Sequence, residues 1–102
     1  MNKYYIFFGN LANPLKIEII SALKNKDKSV SEITGELHIE QSKLSHALTS
    51  LRHCSIVQVK RQGKKRIYRL NKKTILPILN IIDKHEREFC RHCKALESMS
   101  KK

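Results

Sequence analysis

A mainly α fold (α+β) with one β-hairpin and a long C-terminal helix is predicted by three observations. Apolar residues recur at helical spacing in three successive stretches between Leu15 and Leu51. A β-branched, alternating segment from Ser55 to Leu70 interrupts them once. Helical spacing then resumes from Ile75 and holds for three heptads. The 102 residues make one ordinary domain, 1–102, with a single modest core. A hydrophobic share of 40% beside 29% charged residues fits a globular protein and argues against wholesale disorder.

Asn13-Pro14 reads as an N-cap followed by proline at the first helical position, where the missing N–H costs nothing. Leu15, Ile19, Ala22 and Leu23 carry that helix to Lys24, and the polar stretch Lys24–Lys28 ends it. Ser29 or Ser31 caps the next short helix, whose Ile33 and Leu37 lie four apart on the buried side. After the connection His38–Gln41, a third helix runs from Ser42 to about His53, with Leu44, Leu48 and Leu51 on one face. Its other face carries Lys43, Ser45, His46, Thr49, Ser50 and Arg52, all able to hydrogen-bond. Two short amphipathic helices joined tightly, the second polar and free of acids, describe a helix-turn-helix over about residues 31–53.

Ile56, Val57 and Val59 are β-branched, Arg66–Leu70 alternates, and Gln62-Gly63-Lys64-Lys65 between them supplies the turn. A basic hairpin directly behind a helix-turn-helix reads as a two-stranded wing, about residues 55–70. The last helix, about residues 74–97, has Thr74 as its cap and Pro77 in its first turn. Its stripe of Ile75, Ile78, Ile82, His85, Phe89, His92 and Leu96 is spaced 3, 4, 3, 4, 3 and 4. One small core cannot cover that stripe. Ile75, Ile78, Ile82, Phe89 and Leu96 are therefore expected at a homodimer interface, with the Tyr4–Phe8 cluster and Leu11 packing on the helix from the other chain.

The charge is one-sided. Lys and Arg number 21 against 9 Asp and Glu, for a net +12. No acid occurs between Glu40 and Asp83, an interval holding ten basic residues, eight of them within Lys60–Lys73. Such a field suits double-stranded DNA, because neutralising phosphates releases counterions. Gln41, Ser42, Lys43, Ser45, His46 and Thr49 are the candidates for reading base edges, and Lys64, Lys65 and Arg66 for holding phosphates. The apolar run Tyr4–Phe8 is too short for a signal-peptide core, and no stretch approaches the ~20 residues of a membrane span. Three cysteines, an odd number, make no disulfide framework, so a reducing cytoplasm and no membrane partner are expected.

Four segments also resemble the ArsR/SmtB family of winged helix-turn-helix repressors. Leu11–Ile20 is similar to the family's opening, Gln41–Leu48 to its recognition helix, Leu51–Val57 to the helix-to-wing junction, and Gly63 with Tyr68-Arg69-Leu70 to the wing. The resemblance covers about residues 11–70 and implies a DNA-binding transcriptional regulator, a repressor acting as a homodimer. Ala47 stands where the family commonly has His, which leaves the operator sequence open. Ser55 replaces the usual Gly at the junction, where a left-handed backbone strains any residue with a Cβ. The family's thiolate metal site falls here on Ser29 and Ser31, which cannot supply thiolates. Its zinc-type site falls on Lys72, Thr74, His85 and Glu88, of which the first two are replaced.

The C-terminal stretch has its own cluster of redox or metal candidates: Cys90 and Cys93, with His85, Glu88 and His92. On a helix the thiols occupy one flank of the apolar stripe and the imidazoles the other, so one helix cannot gather them around an ion. Interface packing, redox sensing and capture of Zn²⁺ or another transition metal all remain open readings, and no cofactor is demanded. Cys54 is expected in the core. A small thiol oxidoreductase using Cys90/Cys93 is the enzymatic alternative, but that dithiol does not follow a strand at a helix start. A ligand-independent architectural DNA- or RNA-binding protein is another, and Tyr68 alone is a poor stacking platform for RNA. No catalytic constellation is evident, so the protein is expected not to be an enzyme.

Overall fold

The structure, a computed structural model, describes residues 2–89. Among these are helices α1 (Lys3–Leu11), α2 (Pro14–Leu23), α3 (Val30–Leu37), α4 (Gln41–His53) and α5 (Ile75–Glu88). The strands are β1 (Lys28–Ser29), β2 (Val57–Gln62) and β3 (Lys65–Leu70). The chain divides into two compact units, residues 1–71 and 72–102.

In the first unit, α2, α3, α4 and the sheet enclose a core of Ile19, Ile20, Leu23, Ile33, Leu44, Leu48, Leu51, Ile56, Val57, Tyr68 and Leu70. Each such aliphatic side chain contributes roughly 1.5–3 kcal/mol on burial. Pro14 opens α2 as expected, and the Asn13 side chain accepts from the Lys16 N–H. β2 and β3 form the two-stranded wing, with Val57 opposite Leu70, Val59 opposite Tyr68 and Arg61 opposite Arg66. Gly63 turns the tip at φ +66°, a left-handed backbone that Gly adopts freely. β1 adds a third strand, giving the antiparallel order β1-β3-β2. Two residues are too few to show an alternation, and so β1 left no mark in the sequence.

The turn between α3 and α4 runs through His38 at φ +54°, whose N–H donates to the Thr34 carbonyl. At the end of α4, the Ser55 N–H donates to the Arg52 carbonyl and the Ile56 N–H to the Leu51 carbonyl. This is a Schellman motif with Ser55 in the left-handed position, at φ +56°. The expected strain at Ser55 is present, of order 1–2 kcal/mol for a residue with a Cβ. Asn71 holds the turn from below, its side-chain N–H donating to the Ser55 carbonyl and its backbone N–H to that of Ile56.

Cys54 is a correction. It was expected in the core, yet it is exposed, because it is the C-cap of α4 and lies off the Leu44–Leu48–Leu51 stripe. Ile56 and Val57 fill the core beyond it. Its Sγ accepts from the Asn10 side-chain amide, 3.0 Å away. Asn10 Oδ1 in turn accepts from Lys16 Nζ and Ser50 Oγ, so one polar cluster fastens α1 to α2 and α4. Helix α1 itself was not foreseen: Lys3–Leu11 shows no apolar–polar period, and none of its residues is buried. Asn2 caps it by accepting from the Tyr4 N–H.

Ser29, not Ser31, caps α3. Ser29 Oγ accepts from the Glu32 N–H while Glu32 Oε1 accepts from the Ser29 N–H, a complete capping box. The Ser29 backbone N–H, with help from its hydroxyl and from Lys26 and Lys65, holds the Glu32 carboxyl below its ordinary pKa against opposing desolvation. A depressed pKa stabilises the fold above the unfolded value and loses that stabilisation as pH falls through the folded one. Ser29→Ala is expected to cost ~1 kcal/mol near neutrality. In thermal melts its deficit should shrink as pH falls below the ordinary carboxylate range and through the lowered folded-state pKa of Glu32, where the carboxylate that completes the box is protonated. A deficit independent of pH would separate the cap from the carboxylate.

In the second unit, Pro77 occupies the first turn of α5 as expected, but Thr74 makes no side-chain capping bond. Phe89 leaves helical geometry at the end of α5, and the His85 ring stacks on it with centroids 5.7 Å apart. The remainder of the expected helix, together with Cys90, His92, Cys93 and Leu96, lies outside the described residues. Within the stripe Ile75 is buried and Ile78 half-buried, whereas Ile82 is 49% and Phe89 73% exposed.

Candidate nucleic-acid interface

Helix α4 stands on its Leu44–Leu48–Leu51 stripe, and that burial turns the rest of its circumference outward. All nine residues proposed from the sequence to meet DNA are exposed. The structure sorts them into two sets. Gln41, Ser45 and Thr49, four apart, line an open groove of about 370 Å³ whose other wall is Lys64, Lys65 and Arg66 of the wing. Ser42, Lys43 and His46 look the other way, onto a shallow surface shared with Asn13, Leu15 and Lys16 beside α2. One helical polar face thus serves two surfaces. Thr49 Oγ1 donates to the Ser45 carbonyl, which fixes its rotamer within the groove.

The groove also contains Arg52, Ser29, Ser31 and Tyr68, and no acidic residue lines it. Arg52 was not among the expected contacts, although its position three residues after Thr49 places it on the same stripe of α4. Ser31 lies at the first turn of α3, and the Ser29 hydroxyl is occupied with its cap. Every strong charge in the groove is positive, so the groove can take a polyanion and not a cation.

Of the redox or metal candidates, His85 and Glu88 lie in and at the end of α5. Among the described residues no group of three or more His, Cys, Asp or Glu side chains is placed to hold an ion. Nor, among them, is any helix long and apolar enough to cross a membrane.

Residues 13–59 match the sequence pattern of the family described as "Bacterial regulatory protein, arsR family". An uncharacterized HTH-type transcriptional regulator of Mycobacterium tuberculosis, Rv0081, is 34% identical over 79 residues, spanning 76% of this chain and 69% of its own length. This chain belongs to the ArsR family. The ArsR-family protein is also 27% identical to the transcriptional repressor SmtB homolog of a Synechocystis strain, over 80% of this chain and 62% of that one. Its fold matches the crystal structure of M. tuberculosis Rv0081 with a TM-score of 0.77 at 27% identity, covering 99% of this chain and 100% of the other. The transcriptional repressor BigR from Xylella fastidiosa matches with a TM-score of 0.72 at 25% identity, over 99% and 90% of the two chains. The ArsR-family protein is therefore a transcriptional regulator with a winged helix-turn-helix.

Proposed function

We propose that this ArsR-family regulator binds duplex DNA as a homodimer and represses transcription by occupying a pseudo-palindromic operator. The acid-free groove shared by α4 and the wing carries the reading, because it sets base-reading amides and hydroxyls beside a row of cations. Gln41, Ser42, Lys43, Ser45, His46 and Thr49 read base edges, and Lys64, Lys65 and Arg66 hold phosphates. The exposed apolar faces of α1 and α5 support dimerisation, and the names of the SmtB homolog and BigR support repression. The single DNA-binding domain acts in the cytoplasm and without a catalytic step.

The test begins with selection of bound sequences from a random duplex pool, which supplies the operator. His46→Ala or Ser45→Ala should then narrow the gap between operator and random duplex, by ~1–3 kcal/mol for a good base contact. Lys64→Ala or Lys65→Ala should weaken both duplexes nearly equally and flatten the salt dependence by about one unit per lost contact. A pool that yields no enriched sequence would overturn sequence-specific recognition. Wing variants with full affinity at every salt concentration would overturn the wing's role.

A further inference from the structure

The inner face of the β2–β3 hairpin changes character along its length. Near the core it presents the opposed pairs Val57/Leu70 and Val59/Tyr68. One step further, where the hairpin leaves the core, the next pair on that face is Arg61 opposite Arg66. Like charges directly opposed across a hairpin destabilise it. The outer face shows the contrasting solution, with Arg69 Nε donating to Gln58 Oε1 across the strands at 3.1 Å.

A third arginine joins the pair. Arg52, in the last turn of α4, shares with Arg61, Arg66 and Val59 a recess of about 230 Å³. No acidic side chain lines this recess. Among the described residues, the three guanidiniums make no side-chain hydrogen bond or ion pair. Three forked donors around one small recess, two held in register by the ladder and the third on the recognition helix, form a receptor for a tetrahedral oxyanion.

We propose that Arg52, Arg61 and Arg66 together clamp a single phosphate, a phosphodiester of the DNA backbone, at the joint between recognition helix and wing. The proposal rests on the DNA-binding reading and deepens it. Lys64 and Lys65 at the tip hold phosphates as separate point charges, whereas the three arginines share one and lock the wing to α4 when DNA is bound. The anion also offsets the Arg61–Arg66 repulsion, so the wing is stiffer on DNA than off it.

The experiment needs no operator, since phosphate contacts are independent of sequence. Binding of a random-sequence duplex is measured against salt for the wild type, the three single Arg→Gln variants and the Arg52→Gln/Arg61→Gln/Arg66→Gln triple variant. Thermal melts of each are recorded without ligand and with inorganic phosphate. One shared phosphate predicts that the triple variant's salt slope falls by about one unit. Three separate phosphates would lower it by about three, and an idle cluster would leave it unchanged. Either result overturns the clamp. Arg66→Gln and Arg61→Gln should melt at or above the wild-type temperature without DNA, showing that weaker binding is not misfolding. A lower melting temperature in both would overturn the repulsive pair. A wild type that ignores the duplex yet gains stability from inorganic phosphate, with the gain lost in the triple variant, would refute the DNA reading and retain the site for a free oxyanion.

Discussion

Ile82→Glu should leave a folded monomer that binds its operator 10²–10⁴-fold more weakly than the wild type. Ile82 lies on the apolar stripe of α5 and is 49% exposed in the single chain, with Ile81 and Phe89 also uncovered. An exposed apolar stripe of this kind marks an interaction surface, and a second copy of the chain would take it out of water. Two DNA-reading units joined in one dimer bind their half-sites with an effective concentration that a monomer lacks, and the loss of that linkage sets the magnitude. Sedimentation at micromolar concentration should give about twice the 11.9 kDa chain mass for the wild type and one chain mass for the variant. A wild type that sediments as a monomer would remove both the interface and the palindrome argument. Tyr5→Glu on α1, 71% exposed, gives an independent probe of the N-terminal face and should weaken the dimer in the same direction.

Leu48→Ala should destabilise the protein by ~2–5 kcal/mol, through lost transfer energy and the cavity left behind. Leu48 is buried at the centre of α4, and the helix meets α2, α3 and β2. A domain of this size has only ~5–15 kcal/mol in total, so the melting temperature should fall by tens of degrees or the chain should fail to accumulate folded. Thr49→Ala, one residue further and exposed, should change stability far less, and the contrast tests which face of α4 is the structural one. Equal losses at both positions would mean that the helix is rotated from its assigned orientation.

The helices α2, α3 and α4 and the hairpin were legible because each makes its own pattern within a short window. Asn13-Pro14 starts a helix through local capping chemistry, and Leu44, Leu48 and Leu51 mark one face by spacing alone. Helix α1 was not legible. Its Tyr4-Tyr5-Ile6-Phe7-Phe8 run has no polar phase, and its anchor is a cluster from Asn10 to Lys16, Ser50 and Cys54, up to 44 residues away. Cys54 misled for a related reason. A cysteine reads as a small hydrophobe, but the Schellman turn at Ser55 carries it outside the helix and hands the core to Ile56.

The candidate interface divides along the same line. Residue types and an acid-free interval of the chain placed cations and hydrogen-bonding groups on α4 and the wing, because a stretch with ten basic residues and no acid keeps a net positive charge in any fold. Which of them meet was decided only by tertiary packing. Burial of the leucine stripe fixes the rotation of α4, so Gln41, Ser45, Thr49 and Arg52 face the wing while Ser42, Lys43 and His46 face α2. The pairing register of β2 with β3 then sets Arg61 opposite Arg66 on the side where Arg52 stands. Local sequence set α2, α3, α4, the hairpin and the start of α5, with their order and the sign of their charge, since those depend on neighbours a few residues away. The grouping of three arginines and the exposure of Cys54 depend on register and helix rotation, and both are set by long-range burial that no local window contains.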